Sequence, residues 1–345
     1  MAVRWKKRRN GDICHAERNY RVENIKIILI FFVIFGHLLE SIGEGDNLYK
    51  VIYSFHMPVF IFINGWCVTK RSELKRTILR LAYSYVLLQL LYTFFNVHII
   101  NSGSVELSIQ FTTPYWLLWY LMTLLIYYLF VPVISTNNFI FAVSIVAGSI
   151  LLAVMAGFDT SVGYYMSLSR TIVFFPYFVC GYYVRNQTMK YSEVVCNFFE
   201  KRIVKAAGVF LLFGVSVLVY KEEIITTGAL YGSYSYESGE FSFRVRLGLM
   251  CIAFIWIFLF FLLIPDRKIF ERADTFPIYA LHGFIVLYLR KYSPFIYSFS
   301  VNLLIAALIS VVSIVLLGNK YMSCMTRFVL RGEWIETGRN GSIHR

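Results

Sequence analysis

His37 stands eleven residues after Lys26 in KIILIFFVIFGHLLE, a stretch in which eleven of fifteen residues are Ile, Leu, Val or Phe. An imidazole exchanges protons near neutral pH, so it serves as general acid, general base or relay. Glu40 follows His37 by three residues, a spacing that makes side chains neighbours on a helix. At about 100° per residue, Lys26 and His37 return to within about 20° of one another, separated by about 16 Å of rise. One helix face therefore carries Glu23 and Lys26 at one end, and His37 and Glu40 at the other. That face suits a base with an orienting carboxylate. It suits equally a boundary lysine reaching for headgroups and a histidine hydrogen-bonded between helices.

The next apolar segment, YSFHMPVFIFINGW, holds His56 at a comparable depth. Pro58 follows and removes a helix hydrogen bond, which loosens the local backbone. Asn64 and Gly65 continue a small, polar stripe suited to close helix packing. The two histidines fit a proton relay or part of a metal site; no third ligand is suitably spaced, and no metal is expected. Trp116 and Trp119 in PYWLLWYL occupy a segment boundary, where tryptophan commonly anchors the interface. Arg170 in SRTIVFFPYFVCG lies within an apolar segment, where an arginine is costly. Arg244 and Arg246 open another segment, Arg246 the deeper, with headgroup contact as the plain alternative. Arg80 leaves the basic loop KRSELKR, which either obeys the positive-inside rule or binds phosphates. Tyr279 and His282 in FPIYALHG stand mid-segment, as a packing hydrogen bond or as a second pocket wall.

These residues need a scaffold of membrane helices. Of 345 residues, 58% are hydrophobic and 15% charged. Soluble domains are nearer half apolar and a quarter charged. The apolar residues cluster in runs of about 20, the length that crosses a bilayer. The expectation is an all-α polytopic membrane protein of about ten helices, at roughly 25–42, 48–68, 78–97, 114–134, 138–157, 167–185, 203–220, 246–264, 274–290 and 296–318. Residues 1–24 form a basic arm, 25–318 the membrane domain and 319–345 a tail. The first helix reads as uncleaved.

The net charge of +13 is placed for membrane topology, not for nucleic acid: 26 of the 33 Lys and Arg share one side with both termini, which predicts cytoplasmic termini. The arm MAVRWKKRRN suits anionic lipid headgroups. None of the six cysteines falls in an external loop, so no disulfide framework is implied. The longest external loop, 221–244, is rich in Gly, Ser and Tyr and either covers a site or serves as a solvated connection.

The segments ENIKIILIFFVIFGH, FHMPVFIFINGW, WLLWYL, RTIVFFPYFVCG and IYALHG resemble the acyltransferase-3 family of integral membrane O-acyltransferases, especially its fucose 4-O-acetylase-like branch. The first two, in this order and spacing, carry most of the resemblance. Lys26 and Glu23 stand where arginine and aspartate are commoner. The resemblance implies transfer of an acyl group, usually acetyl from cytoplasmic acetyl-CoA, to a hydroxyl of a cell-surface sugar. Acetyl-CoA would be a donor substrate, with no cofactor bound permanently. By the same resemblance, Lys26, Glu23 and Arg80 would meet the donor, His37 would act as general base and Glu40 would orient it. Arg170, Arg246 and His56 would stabilise the oxyanion, and Trp116, Trp119, Tyr279 and His282 would contact the acceptor. Expected partners are membrane lipid, a cell-surface glycan or lipid-linked sugar, and polysaccharide synthesis machinery, at the plasma membrane. The competing class is a transporter or flippase of a lipid-linked saccharide, using His37, His56 and His282 as a proton relay.

Overall fold

The computed structural model describes residues 19–332, apart from 44, 69–72, 137, 161–162, 164, 188–200 and 271–272. The arm MAVRWKKRRN, Cys14, Cys196 and the tail from 333 lie outside the described residues. Among those described, regular structure is helical throughout. In order these are α1 (Tyr20–Leu39), α2 (Asp46–Trp66), α3 (Leu74–Phe95), α4 (Trp119–Ile134), α5 (Phe139–Met155) and α6 (Leu168–Gln187). They are followed by α7 (Arg202–Lys221), the short α8 (Thr227–Tyr231), α9 (Phe243–Leu263), α10 (Thr275–Tyr292), α11 (Phe299–Leu317) and α12 (Lys320–Val329).

Each expected apolar segment coincides with one of these helices. Six are long and apolar enough to cross a membrane: α1, α3 with its continuation to Ile100, α4 with the turn before it, α7, α9 and α11. The chain is a multi-pass membrane protein. α5 is apolar but spans only 17 residues. α2, α6 and α10 are less apolar because they carry the interior polar groups: Lys50, His56 and Asn64; Arg170; His282 and Arg290. Side chains on the peripheral helices point outward, as Phe139, Phe210 and Leu304 do at 70%, 77% and 65% exposure. Lipid is the solvent that makes such an apolar surface favourable.

α1 and α2 form the centre. Gly36, beside His37, lets the Tyr53 ring of α2 approach closely: a Cβ at Gly36 would lie 3.2 Å from Tyr53 Cε2. α2 meets α6 backbone to backbone. A Cβ at Gly65 would overlap the Phe178 carbonyl, and one at Gly181 would overlap the Phe62 carbonyl. Small residues at such crossings let membrane helices pack by close van der Waals contact. α2 runs unbroken through Pro58.

Polar ties hold the ends. At the start of α1, Asn24 Nδ2 donates to the carbonyls of Pro265 (3.2 Å) and Arg267 (2.8 Å). That end of the bundle, which also carries α12, is termed the tail side. At the opposite, loop side, segment 222–242 is folded down. Arg246 donates to the carbonyls of Ala153 (3.3 Å) and Tyr234 (2.9 Å), and Tyr236 donates to the Val154 carbonyl (2.8 Å). α8 ends at Gly232, whose φ of 68° favours glycine. The loop thereby delivers Tyr231 to the end of α2.

Candidate active site

Glu40, directly after α1, gathers three side chains. Its Oε1 accepts hydrogen bonds from Tyr49 (2.7 Å) and Tyr53 (2.9 Å), one turn apart on α2. Its Oε2 pairs with the Arg290 guanidinium from the last turn of α10. Arg290 in turn lies over the Trp116 ring at 4.5 Å. Tyr49 also meets the Tyr231 hydroxyl at 2.6 Å, which ties the loop-side segment to the cluster. Tyr231 lies outside the membrane segments; burial pushes its phenol above the ordinary value, so it stays protonated.

Tyr53 couples this cluster to His37. Its hydroxyl lies 3.2 Å from His37 Nδ1, whereas the Glu40 carboxylate is 3.7 Å away, beyond a good hydrogen bond. Tyr53 has one proton and donates it to Glu40, so its oxygen accepts from His37 Nδ1–H. This network assigns the tautomer and leaves the lone pair on His37 Nε2. The His37 side chain is 14% exposed, with Trp116 against one side (ring centroids 4.8 Å apart). Tyr53→Phe removes the relay without removing the ring. The expected result is a loss of about tenfold in turnover, read as kcat on the purified protein, with a smaller loss for Tyr49→Phe, which does not touch the imidazole.

A second imidazole stands beside the first. His282 on α10 is fully buried, and its ring lies nearly parallel to that of His37 with centroids 5.9 Å apart. Its Nδ1 lies 2.8 Å from the Tyr279 carbonyl and 3.0 Å from that of Ile278, so Nδ1 holds the proton. Its Nε2 is buried without a hydrogen-bond partner. Buried polar atoms are nearly always satisfied, so an orphan acceptor on a residue that lines a cavity marks a place for a ligand group.

Both histidines line one cavity of about 240 Å³. It reaches from His37 and His282 to Lys26, Thr275, Phe276 and Arg331 on the tail side, between walls that include Trp119, Tyr120 and Tyr279. The shared face of Lys26 and His37 on α1 is thus the floor of a passage. Lys26 Nζ lies 3.5 Å from Cys67 Sγ. Glu23 lines an adjoining cavity, which shares Lys26, Thr275 and Arg331 with the first.

The structure brings together Lys26, His37, Trp119, Tyr279 and His282 along this passage, with Glu40 and Trp116 beside His37. His56 is buried behind Tyr53, with ring centroids 4.4 Å apart, and its Nδ1 meets the Ile52 carbonyl at 2.9 Å. Arg170 stands behind Trp119, 5.0 Å from its ring, and donates to the Tyr231 carbonyl at 3.2 Å. Arg246 is held between α5, α9 and the loop, away from the cavity. Arg80 is not among the cavity-lining residues; Thr77 and Leu81 face it from α3 instead. Sequence reasoning did not single out Tyr49, Tyr53, Tyr231, Arg290 or Arg331 as site residues. Only the four-residue spacing of Tyr49 and Tyr53 carried a signal, and it gains meaning once Glu40 is known to face it.

The acyltransferase-domain family, acyltransferase-3, matches residues 19–318, which include His37, Glu40 and the rest of this site except Arg331. The chain belongs to the acyltransferase-3 family. The match is to the family as a whole and does not single out its fucose 4-O-acetylase-like branch. A similar relative is the nodulation protein NolL of Sinorhizobium fredii (strain NBRC 101917 / NGR234), 27% identical over 165 residues. That alignment covers 41% of this chain and 44% of NolL, so it spans less than half of the curated relative. No solved structure matches this acyltransferase-3 chain.

Proposed function

We propose that this protein is a membrane O-acyltransferase that moves a short acyl group, acetyl by default, from acyl-CoA to a hydroxyl of a cell-surface or lipid-linked sugar. The observation that supports it best is the single cavity that has Lys26 at one end and two imidazoles at the other. A thioester on a long, narrow arm enters from the tail side. The alcohol arrives from the loop side, where Trp116, Trp119 and Tyr231 offer aromatic faces for a sugar ring.

His37 Nε2 takes the hydroxyl proton as the alcohol oxygen attacks the thioester carbonyl. The tetrahedral intermediate collapses, the carbon–sulfur bond breaks and the thiolate leaves. The imidazolium returns the proton to the sulfur. Tyr53 and Glu40 hold the imidazole in place, while Arg290 holds Glu40. His282 Nε2 accepts a hydrogen bond from a second substrate group and orients the acceptor.

The positive-inside rule puts the tail side in the cytoplasm, with both termini there, and ten crossings at the plasma membrane accord with that arrangement. Membrane lipid surrounds the bundle, and the machinery that makes the acceptor glycan is the expected neighbour. The test is an assay with the purified chain in vesicles, using acetyl-labelled acetyl-CoA. Release of CoA that requires a sugar acceptor, with label recovered in the sugar, is expected. Movement of a lipid-linked saccharide across the vesicle with no CoA release would instead identify a flippase.

A further inference from the structure

The family match ends at residue 318, yet the chain continues into α12 and folds back onto the tail-side mouth of the cavity. Asn319 caps the start of α12, its side chain accepting from the Tyr321 and Met322 amides at 2.9 and 3.0 Å. Ser323 donates to Asp274 at 2.8 Å, and the Leu330 carbonyl accepts from Ser84 of α3 at 2.7 Å. These contacts fix the far end of α12 against α3 and α10. They place Arg327 and Arg331 on the wall of a second cavity of about 190 Å³, opposite Lys26. Arg331 and Lys26 line both cavities, so this second space is the vestibule of the passage that leads to His37.

The vestibule has the chemistry of a phosphate site. Three cations, Lys26, Arg327 and Arg331, face it with the carboxylates Glu23 and Asp274. Asp274 is shared by both guanidiniums, at 3.5 Å from Arg327 Nε and 3.8 Å from Arg331 Nη2. Both separations exceed the 2.7–2.9 Å of a tight charge-assisted pair. The Arg331 guanidinium also lies 4.2 Å from the Phe276 ring, and Phe276 lines the passage. Planar guanidinium forks match phosphate oxygens two at a time.

We infer that Arg327 and Arg331, carried by the helix beyond the family-matched region, form with Lys26 a binding site for the nucleotide phosphates of the acyl donor. The thioester arm then threads past Phe276 towards His37. This rests on the acyl-CoA reading of the passage. It assigns the charge for donor recognition to the C-terminal helix.

The test uses the full chain purified in an uncharged maltoside detergent, as wild type, Arg327→Gln and Arg331→Gln. The KM is measured for acetyl-CoA and for S-acetylpantetheine, which has the same thioester arm and no phosphate. KM for acetyl-CoA is expected to rise about tenfold in each variant, mainly without a fall in kcat, while KM for S-acetylpantetheine stays at its wild-type value. Arg331→Lys is expected to fall between. Binding of adenosine 3′,5′-bisphosphate, measured by calorimetry, is expected in wild type and weakened about tenfold in the variants. An unchanged acetyl-CoA KM would overturn the proposal. So would an equal rise for both thioesters, the signature of general damage, or an effect seen only when anionic phospholipid is added, which would make the site one for lipid. If wild type turns over neither thioester, the acyl-transfer reading fails. The bisphosphate binding then still decides the phosphate site, and its absence in wild type would overturn that too.

Discussion

His37→Ala is expected to lower the rate of acyl transfer by about 10²–10⁴-fold, the contribution of a positioned general base. The variant should reach the membrane at the wild-type level and stay folded. The ring lines a cavity, so its removal enlarges a space already present and leaves the Glu40 contacts with Tyr49, Tyr53 and Arg290 intact. The comparison is label transferred from acetyl-CoA to sugar at equal protein, with folding monitored by size exclusion in maltoside. Imidazole added to the buffer should restore part of the lost rate, since it supplies the missing base to the same cavity. A variant that retains transfer within about threefold of wild type would remove His37 from the proton transfer.

The second large effect concerns the α2–α6 contact. Gly65→Ala and Gly181→Ala each place a methyl group on a carbonyl of the facing helix, Phe178 in the first case and Phe62 in the second. A backbone oxygen cannot swing aside as a side-chain tip can, so the two helices must separate along the crossing. Overpacking of this kind costs about 1–3 kcal/mol, and here each substitution strikes a reciprocal contact. The expected result is a fall of about 5 °C or more in the midpoint of thermal aggregation in maltoside. Activity should fall as well, because α2 carries Tyr49 and Tyr53. Gly148→Ala is the control: nothing lies within 4 Å of its Cβ, and replacing a helical glycine is neutral or stabilising there. Equal midpoints for all three variants would mean that the glycine crossing does not set the packing.

Much of the helical framework was legible in the sequence. Runs such as IVKAAGVFLLFGVSVLVY report their solvent directly, because lipid exposure tolerates few charges on any face. The interior helices were visible for the opposite reason: Lys50, His56 and Asn64, Arg170, and His282 interrupt apolar runs where polar groups require partners. Legibility stopped at the partners themselves. Arg290 carried no signal of its own at a segment end, yet its guanidinium pairs with Glu40, some 250 residues away in the chain. Arg246 read as a cation at a segment's entry and Arg170 as one within an apolar segment, and the family resemblance gave both the same oxyanion role. One is engaged in tying a loop to α5 and the other braces Trp119.

By itself the sequence determined what lies along one helix: Lys26, His37 and Glu40 share a face of α1 because α-helical geometry relates residues a few turns apart without reference to anything else. Tertiary structure decided what crosses from helix to helix. Tyr53 stands between His37 and Glu40, His282 lies beside His37, and Arg331 sits at the passage mouth only because close glycine contacts and capped helix ends set the distances between α1, α2, α10 and α12. Those distances arise from packing among residues remote in the chain, and no local periodicity encodes them.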